Sequence, residues 1–410
     1  MIAGLFWFCV GIVLYTYVGY PALLTLLART RRKPLARPPH EPTVTLLVAA
    51  YNEEGWLGRK LENALQLDYP REKLQILVAA DGSDDRTPDI ARAYAERGVE
   101  LSYQPARQGK MAAINRAMAM AQGDIIVFSD ANNLYEPGTL RALVSPFSDP
   151  RIGGVSGAKH VLTGEDGLSA SEGLYWKYEA FIKKQETRLG SCSGVSGEIF
   201  AIRRSLFEPA PPGIINDDFY QAMRLLRRGY RVIYAPQARS FERVSLTAED
   251  EVTRRIRINA GRYQALSQVR QLLTPRQPLL LWQVFSHKFL RLLVPFAMFG
   301  ALLANLAALL PNRIPPEGSL LRLAAPFNWI FFTVQVGFYL LAWLGNRTEL
   351  TGRLGKILYL PTFLVNSNLA AWQGFLRFIN GRETALWQKV RRAEASVADS
   401  RPIHNQRRRG

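Results

Sequence analysis

The stretch TVTLLVAA at residues 43–50 decides the fold class, because a short apolar run of this kind forms a strand buried on both faces of a sheet. Three comparable runs follow it: LQILVAA at 74–80, VELSY at 99–103 and DIIVFS at 124–129. The intervening sequence predicts helices over 55–67, 88–97 and 110–121. Strands and helices that alternate in this way predict an α/β domain with a mostly parallel central sheet, expected over residues 43–271.

The composition describes a folded, strongly basic protein. The chain has 410 residues, with 52 Lys and Arg against 34 Asp and Glu, a net charge of +18, and 48% hydrophobic residues. This apolar content excludes a disordered polycation. The two cysteines, Cys9 and Cys192, are too few for a disulfide framework and favour a reducing compartment. A basic balance fits nucleic acid, an anionic membrane surface or an acidic substrate such as a nucleotide, so the positions of the charges must decide.

Apolar segments flank the predicted domain on both sides. Residues 1–28 carry no charged side chain and exceed the ~20 residues that cross a bilayer, which predicts a transmembrane helix. A cleaved signal peptide is the alternative, but the run lacks a basic start and a small-residue cleavage site. Segments 289–310 and 327–345 predict two more transmembrane helices, after an interfacial segment at 272–288. The weaker segment 356–380 is predicted to span the membrane, to re-enter it or to lie on its surface.

Basic residues next to these segments predict the topology. The linker at 29–42 contains RTRRKPLAR, and the tail at 381–410 is rich in Arg and Lys. Basic residues that flank a membrane span tend to stay in the cytoplasm. We therefore expect a multi-pass protein of the cell inner membrane, in contact with membrane lipids, whose N-terminus faces outward and whose α/β domain is cytoplasmic.

Short segments rich in polar residues follow three of the predicted strands at the points where the strands end. They are Tyr51, Asn52 and Glu53 after the first strand, Asp81 and Gly82 after the second, and Asp130, Ala131 and Asn132 after the fourth. Open parallel sheets bind ligands at this edge. The sequence contains neither the glycine-rich dinucleotide fingerprint nor the phosphate-loop pattern. A divalent ion held by carboxylate oxygens can neutralise phosphates in their place.

Six motifs occur in an order that is typical of one enzyme family. They are VTLLVAAYNEE, ILVAADGSDDRT, GKMAAIN, FSDANN, SGEIFAIRR and INDDFYQAMRLLRRGYRVIYAP. Through them the region from residue 43 to 261 resembles the family 2 glycosyltransferases, membrane-embedded inverting enzymes that include the cellulose and hyaluronan synthases. The resemblance implies a GT-A type nucleotide-sugar fold, a nucleotide-diphosphate sugar donor, and Mg2+ or Mn2+ as cofactor.

The resemblance assigns Asp130 and Asn132 to the metal site. They stand where the family carries its Asp-x-Asp motif, and a carboxylate there would coordinate the ion that bridges the donor's two phosphates. Asn in the second position is a departure from the family. Because an amide adds no negative charge, we expect a weaker or more readily exchanged metal. The alternative is that Asp130 only caps the next helix.

Five residues match the donor side of the family's site. Asp81 matches the Asp that reads the nucleotide base, expected to be uracil, and Tyr51 and Glu53 match residues that line the base and ribose. Lys110 matches a lysine that contacts the donor, and a lysine at a helix start opposes the helix dipole, which favours function. Arg257, in RRIRINAG, matches the Arg of the family's Gln-x-x-Arg-Trp segment and suits bidentate contact with a diphosphate.

Four residues are assigned to the acceptor side. Inverting transfer is a single displacement, so one carboxylate suffices to take the acceptor's proton. Asp218, in NDDF, matches the last residue of the family's Thr-Glu-Asp base motif, and Asp217 stands for its Glu. Capping of the following helix, expected over 219–228, is the alternative. Gly197 and Glu198 are expected to line the acceptor wall, although Glu198 could instead pair with a nearby arginine.

Three functions remain open. The favoured one is transfer of one or a few sugars to a lipid-linked or polysaccharide acceptor at the cytoplasmic membrane face. The alternative within the family is a processive synthase that also translocates its polymer. Arg254 and Ile258 speak against it, because they replace the Gln and the Trp of the Gln-x-x-Arg-Trp segment, and in processive synthases this Trp is the acceptor platform. A nucleic-acid-binding or scaffold protein is disfavoured, since much of the basic surplus lies beside membrane segments and no nucleic-acid-reading motif is visible.

Overall fold

The computed structural model describes residues 1–30, 40–162, 167–243, 248–310, 319–348 and 352–381. Most of the basic linker and the tail from residue 382 onward lie outside these ranges, so the charge pattern that predicts the topology remains a sequence argument. The described residues form one large sheet, the helices that cover it, and a group of long apolar helices.

The central sheet contains eight strands among the described residues. They are β1 (Val44–Ala50), β2 (Leu74–Asp81), β3 (Val99–Gln104), β4 (Ile125–Asp130), β5 (Leu134–Tyr135), β6 (Ile152–Leu162), β7 (Phe200–Arg203) and β8 (Arg231–Arg243). Their spatial order is β3-β2-β1-β4-β7-β6-β8-β5. The first four in this order are parallel, with Val44 opposite both Leu74 and Ile125, whereas β7 is antiparallel to β4 and β6. The carboxyl ends of β1, β2 and β4 therefore meet at one edge.

Helices cover both faces of this sheet. The helices longer than five residues are α1 (Ile2–Thr30), α2 (Glu54–Leu65), α3 (Thr87–Ala93), α4 (Lys110–Ala117), α5 (Thr139–Val144), α6 (Gly167–Leu189), α7 (Asp217–Arg227), α8 (Ala248–Ser267), α9 (Pro278–Ala308), α10 (Phe327–Gly345) and α11 (Gly352–Ile379). Leu46 of β1 packs with Leu57 of α2 on one face, and Leu47 packs with Ala113 of α4 on the other. Each such buried leucine stabilises the fold by about 1.5–3 kcal/mol. This burial on both faces confirms the predicted α/β fold with a mostly parallel sheet.

One difference from the predicted helices concerns the site. The helix expected over 219–228 begins two residues earlier, as α7 at Asp217. Acidic side chains in a first turn interact favourably with the helix dipole, so this start is physically reasonable. Asp217 and Asp218 therefore lie in the first turn of a helix and not in the loop before it.

Three helices among the described residues are long and apolar enough to cross a membrane. They are α1 with 29 residues, α9 with 31 and α10 with 19. α9 begins at Pro278, so it joins the predicted membrane segment at 289–310 to most of the segment at 272–288. Proline is favoured at the first helical position, and a π-helical turn at Phe285–Phe289 carries the polar residues of this junction.

The weaker apolar segment forms a single helix, α11, which contains Pro361. Just beyond α10, Asn346 exchanges two hydrogen bonds of 2.8 and 3.1 Å with Asn366. Arg255 of α8 donates to Ser367 Oγ at 2.9 Å. α11 thus contacts both the apolar helices and a helix of the sheet domain.

α1 also contacts both parts of the molecule. Its first half packs Phe6 and Cys9 against Ala297 of α9, where small side chains allow the two helices to approach closely. Its second half packs Tyr20 against Ile182 of α6. The position of the sheet domain is therefore tied to the apolar helices at more than one point.

Candidate active site

The loops after β1 and β2 are held together by hydrogen bonds. Asn52 N–H donates to Ser83 Oγ at 3.1 Å, and Glu53 N–H donates to Thr87 Oγ1 at 2.8 Å. Gly82 has φ of +63°, and a Cβ there would lie 2.6 Å from the backbone nitrogen of Arg107. Only glycine fits such a conformation and such a close approach without strain.

Arg107, which lies against Gly82, also contacts Tyr51, one of the residues predicted to line the base. Its guanidinium lies 3.8 Å from the ring centroid of Tyr51, a cation–π contact. Tyr51 and Glu53 therefore lie where the loops after β1 and β2 meet, and their contact with a base and ribose stays a prediction. The sequence does not single out Arg107, because a lone arginine after a strand carries no signal of its own.

Asp81 lies under the loop that precedes α4. Its side chain is 0% exposed, and its two carboxylate oxygens accept hydrogen bonds from the N–H groups of Gln108 (2.9 Å) and Gly109 (2.7 Å). Acceptance from backbone N–H groups is a strong, charge-assisted interaction. In this structure Asp81 thus holds the loop that delivers Lys110 to the site.

Lys110 joins two acidic residues from distant parts of the chain. Its Nζ lies 2.7 Å from Asp130 Oδ1 and 3.6 Å from Asp217 Oδ2. Burial alone would lower the pKa of Lys110, but Asp130 and Asp217 outweigh it and raise the pKa above its usual value. The lysine is therefore a permanent positive charge at the edge of the sheet.

Asp130 is the last residue of β4, and Asn132 lies in the turn that follows it. The next helix, α5, begins only at Thr139, so the alternative in which Asp130 caps a helix is wrong. Asn132 is 7% exposed, and its Oδ1 has no hydrogen-bond partner among the described residues. A buried oxygen without a partner is costly, and a cation would satisfy it.

The donor set at this turn fits a divalent ion that also has ligands from a substrate. One carboxylate and one amide oxygen are hard ligands of the type that Mg2+ and Mn2+ accept. Among the described residues, no group of three or more His, Cys, Asp and Glu side chains could hold a metal alone. Such an ion would therefore depend on phosphate oxygens for the rest of its coordination.

Asp218 lies beside Gly197 in a narrow cleft that is partly open to solvent and that Asp217, Phe207 and Gln221 also line. Its Oδ1 accepts a hydrogen bond from Phe219 N–H at 2.7 Å. A Cβ at Gly197 would lie 3.2 Å from Asp218 Cβ, so only a residue without a side chain leaves this space free. Burial, and then the neighbouring charge of Asp217, raises the pKa of Asp218 to about 6.

The residue before these aspartates does not cap α7 with its side chain. Asn216 occupies the N-cap position, but its Nδ2 donates to Ile258 O of α8 at 3.0 Å. Gly261 of α8 faces the same amide, and a Cβ there would lie 2.6 Å from it. The first turn of α7 is therefore positioned by α8, the helix that also carries Arg257.

Glu198 is buried on the other side of Gly197. Its Oε1 forms a 3.4 Å ion pair with Lys159 Nζ, and the same lysine pairs with Glu242. Pairing of Glu198 with Arg203 or Arg204 is wrong. Both arginines donate instead to backbone carbonyls, which are those of Phe147, Asp149 and Ile152 for Arg203 and that of Ala121 for Arg204.

Arg254, which stands in the position of the motif's Gln, is paired within its own helix. Arg254 lies 3.0 Å from Glu251, and Arg255 contacts the same carboxylate at 3.0 Å. Arg257 is half-buried on the same helix. Arg254 therefore neutralises a buried acid in place of the amide contacts that a Gln would make.

Besides Arg107, the sequence does not single out Lys60 or Asn133. Lys60 is 0% exposed and donates to Asn133 O (2.9 Å) and Oδ1 (3.1 Å), and Asn133 Nδ2 donates to Glu198 O at 2.7 Å. Burial lowers the pKa of Lys60 to about 7. The available signal was the position of Lys60 beside Leu57 and Leu61 on the apolar face of α2. This network ties the turn after β4 to the backbone of Glu198.

Comparison with solved structures defines the class of fold. Mannosyltransferase PcManGT from Pyrobaculum calidifontis, solved in complex with GDP-Man and Mn2+, superimposes with a TM-score of 0.68 over 93% of this chain and 100% of that one, at 23% identity. The strand order of this chain and this likeness define a GT-A type fold accompanied by apolar helices.

Comparison with sequences defines the family. Residues 45–209 match the family model Glycosyl transferase family 2. The chain is 26% identical over 200 residues to beta-monoglucosyldiacylglycerol synthase of Trichormus variabilis, covering 48% of this chain and 43% of that protein. It is 26% identical over 230 residues to poly-beta-1,6-N-acetyl-D-glucosamine synthase of Staphylococcus aureus, covering 54% and 55%. The matches span about half of these relatives. Together with the family model over residues 45–209, they support a glycosyltransferase of family 2.

Proposed function

We propose that the protein is an inverting, metal-dependent glycosyltransferase. It moves a sugar from a nucleotide-diphosphate sugar to a lipid-linked or polysaccharide acceptor at the cytoplasmic face of the inner membrane. The observation that carries this proposal is the meeting of Asp130, Lys110, Asp217 and Asp218 at one edge of the sheet. These groups come from three separate elements, and together they supply a metal ligand, a fixed cation and a base.

The donor would bind where the strand ends meet. Asp130 and Asn132 would hold Mg2+ or Mn2+, which supplies positive charge that stabilises the departing diphosphate. Lys110 and Arg257 add positive charge from the protein. Tyr51, with Arg107 stacked on it, would line the base.

The identity of the nucleotide is a separate part of the proposal. We favour UDP because Asp81 matches the family residue associated with uracil. Since the Asp81 carboxylate is buried and accepts two backbone N–H groups, it would contribute to base recognition through the loop it holds. PcManGT binds GDP-Man, so a guanine nucleotide is the natural competitor in a test.

Asp218 would act as the general base. The acceptor hydroxyl attacks the anomeric carbon of the donor sugar, its proton passes to a carboxylate oxygen of Asp218, and the bond between that carbon and the diphosphate oxygen breaks. A carboxylate whose pKa is raised to about 6 is still mostly ionised at pH 7 and is a stronger base than an ordinary aspartate. The acceptor would enter through the cleft beside Gly197, which is narrow in this structure.

The acceptor proposal rests on the apolar helices and on the departures in α8. α1, α9 and α10 would hold the domain at the bilayer, where a glycolipid or a lipid-linked glycan is within reach. One relative, beta-monoglucosyldiacylglycerol synthase, is named for a glycolipid product. Ile258 in place of the family's Trp removes the platform for a growing polymer, so transfer of one or a few sugars is favoured over processive synthesis.

A screen of labelled nucleotide sugars tests the proposal. Membranes that contain the protein are incubated with UDP-sugars and GDP-sugars in the presence of Mn2+ or Mg2+, with EDTA as a parallel arm. Membranes with Asp218→Asn protein are the matched control. We expect one donor to label a membrane-extractable product that disappears with EDTA and with the variant. Absence of product with every donor would contradict the function, and a product insensitive to EDTA would contradict the metal.

A further inference from the structure

The loop at residues 190–198 connects α6 to the acceptor wall at Gly197 and Glu198. The N–H of Ser193 donates to Glu186 Oε2 at 2.7 Å, and the hydroxyl of Ser193 lies 3.1 Å from His287 Nδ1. Farther along, Ser196 Oγ accepts a hydrogen bond from Lys183 Nζ at 2.8 Å. The loop is therefore anchored on one side by α6 and on the other by α9.

Gly194 brings the same loop against α9 at a second point. A Cβ at position 194 would lie 2.7 Å from Lys288 Nζ and 3.4 Å from the ring of His287. Lys288 is itself buried, 3.5 Å from Glu179 Oε2. The backbone of the loop thus lies directly on the side chains of two consecutive residues of an apolar helix.

These contacts belong to a buried network of charged groups. His287 lies between two carboxylates of α6, at 2.9 Å from Glu186 and 3.2 Å from Glu179, and Arg291 also pairs with Glu179. Burial alone would raise the pKa of both glutamates, but the basic residues of α9 lower it. Buried charges tolerate little displacement, because moving one partner leaves the other uncompensated. The network therefore fixes α9, α6 and the loop relative to one another.

Two π-helical turns lie beside this network. One occupies Tyr15–Gly19 of α1 and the other Phe285–Phe289 of α9. They are joined by hydrogen bonds, since Tyr15 Oη lies 2.9 Å from Ser286 Oγ and accepts from Trp282 Nε1 at 2.8 Å. π-turns are rare and occur frequently at functional sites. Here the turn in α9 presents Ser286 to α1 and the next two residues to α6 and the loop.

We propose that His287 and Lys288 are positioning residues for the acceptor side of the catalytic centre. Through the 190–198 loop, the apolar helices set the place of Gly197 and Glu198 against Asp218, so a change in α9 alters acceptor use without altering the donor site. This inference rests on the proposed function and deepens it. It gives α9 a part in the reaction beyond that of an anchor.

Hydrogen exchange tests the physical link independently of any substrate. The full chain in detergent is compared as wild type, Ser193→Ala, Lys288→Met and Ser286→Ala. The first two variants should increase backbone exchange across residues 191–198 by about tenfold or more, because they remove contacts between loop and helix. Ser286→Ala is the matched control, since it removes a hydroxyl from the same π-turn that faces α1. Unchanged exchange across residues 191–198 in both Ser193→Ala and Lys288→Met would overturn the proposal.

Activity separates positioning from general instability. With the donor found in the screen, Lys288→Met and Ser193→Ala should lower transfer by about tenfold while the affinity for the nucleotide with Mn2+ stays within threefold. Gly194→Ala should lower transfer as well, and Gly194→Ala with Lys288→Ala should recover part of it, because the smaller side chain makes room. Faster exchange with unchanged transfer would overturn the positioning role. If no donor supports transfer in the wild type, the proposed function fails, while the exchange result still decides whether α9 holds the loop.

Discussion

Asp217 and Asp218 are adjacent in sequence and share one helical turn, yet the structure gives them different surroundings. Both line the cleft beside Gly197, but Asp217 also forms a 3.6 Å ion pair with Lys110. At Asp218, burial and the charge of Asp217 outweigh the effect of Lys110 and make the carboxylate more basic. At the scale of single residues, the roles of the two acids therefore follow from their neighbours.

The first prediction separates a catalytic base from a structural role in the first turn of α7. Asp218→Asn keeps the size of the side chain and an oxygen that can accept from Phe219 N–H, but it removes the basicity, so transfer should fall by roughly 100-fold or more. Nucleotide affinity should barely change. Asp217→Asn should cost much less activity. Transfer rates and nucleotide binding of both variants are the measurement, and an active Asp218→Asn enzyme would refute the mechanism.

The second prediction concerns the pH dependence of transfer. The base must be ionised, so kcat/KM should rise with pH through the pKa of Asp218, at about 6, and level off above it. Removing the charge of Asp217 removes one cause of the raised pKa. In Asp217→Asn protein the acidic limb should therefore move to lower pH. A limb that stays in place, or moves upward, would show that Asp217 does not act on Asp218 in this way.

The third prediction concerns the metal turn. Asp130→Ala should abolish transfer while the protein still inserts and folds, because Asp130 is the only carboxylate of its motif. Asn132→Asp should tighten Mn2+ binding, since it adds a negative charge where the structure has an unpaired amide oxygen. Transfer assays measure the first effect, and titration of Mn2+ in the presence of nucleotide measures the second. Transfer by Asp130→Ala protein within threefold of wild type would refute the assignment.

At the scale of elements, the site depends on the close approach of α8 to the start of α7. Gly261 leaves room for the amide of Asn216, which donates to Ile258 O. This contact also brings α8, the helix that carries Arg257, next to the start of α7, where Asp217 and Asp218 lie. α8 is thus part of the frame that positions the first turn of α7.

The fourth prediction tests this frame. Gly261→Ala would place a Cβ 2.6 Å from Asn216 and should destabilise the fold by about 1–3 kcal/mol, with a loss of transfer. Gly55→Ala in α2 is the matched control, because nothing lies within 4 Å of its Cβ and alanine favours a helix. Thermal unfolding in detergent should show a lower midpoint for the first variant only. Equal midpoints for both would argue against tight packing of α7 on α8.

At the scale of the whole molecule, α1 contacts both an apolar helix, α9, and a helix of the sheet domain, α6. Phe6 packs on α9, and Tyr20 Oη donates to Glu186 of α6 at 2.5 Å. A helix of 29 residues is about 43 Å long, which exceeds a hydrocarbon core of about 30 Å. Its second half can therefore leave the bilayer and contact the sheet domain.

The fifth prediction concerns orientation. The basic run at 29–37 should keep the end of α1 in the cytoplasm, so a reporter active only in the periplasm should work when fused at Met1. A reporter active only in the cytoplasm should work when fused near Lys33. The opposite pattern would place the catalytic domain away from nucleotide sugars and would contradict the proposed function.

The sequence by itself determined the parallel strands, the apolar helices and the resemblance to the family 2 glycosyltransferases. These follow from local patterns: a strand buried on both faces is a short apolar run, and a motif such as FSDANN is contiguous. The acidic residues at the strand ends were predictable for the same reason, because parallel strands bring those ends to one edge.

Only the tertiary structure decided which of these residues meet. Asp81 is buried under the loop before α4, Lys110 lies between Asp130 and Asp217, and the 190–198 loop rests on His287 and Lys288. Each contact joins residues that are tens of positions apart in the chain. Their meeting depends on strand order, helix packing and a π-turn, which arise from the sum of many packing interactions and leave no local signature in the sequence.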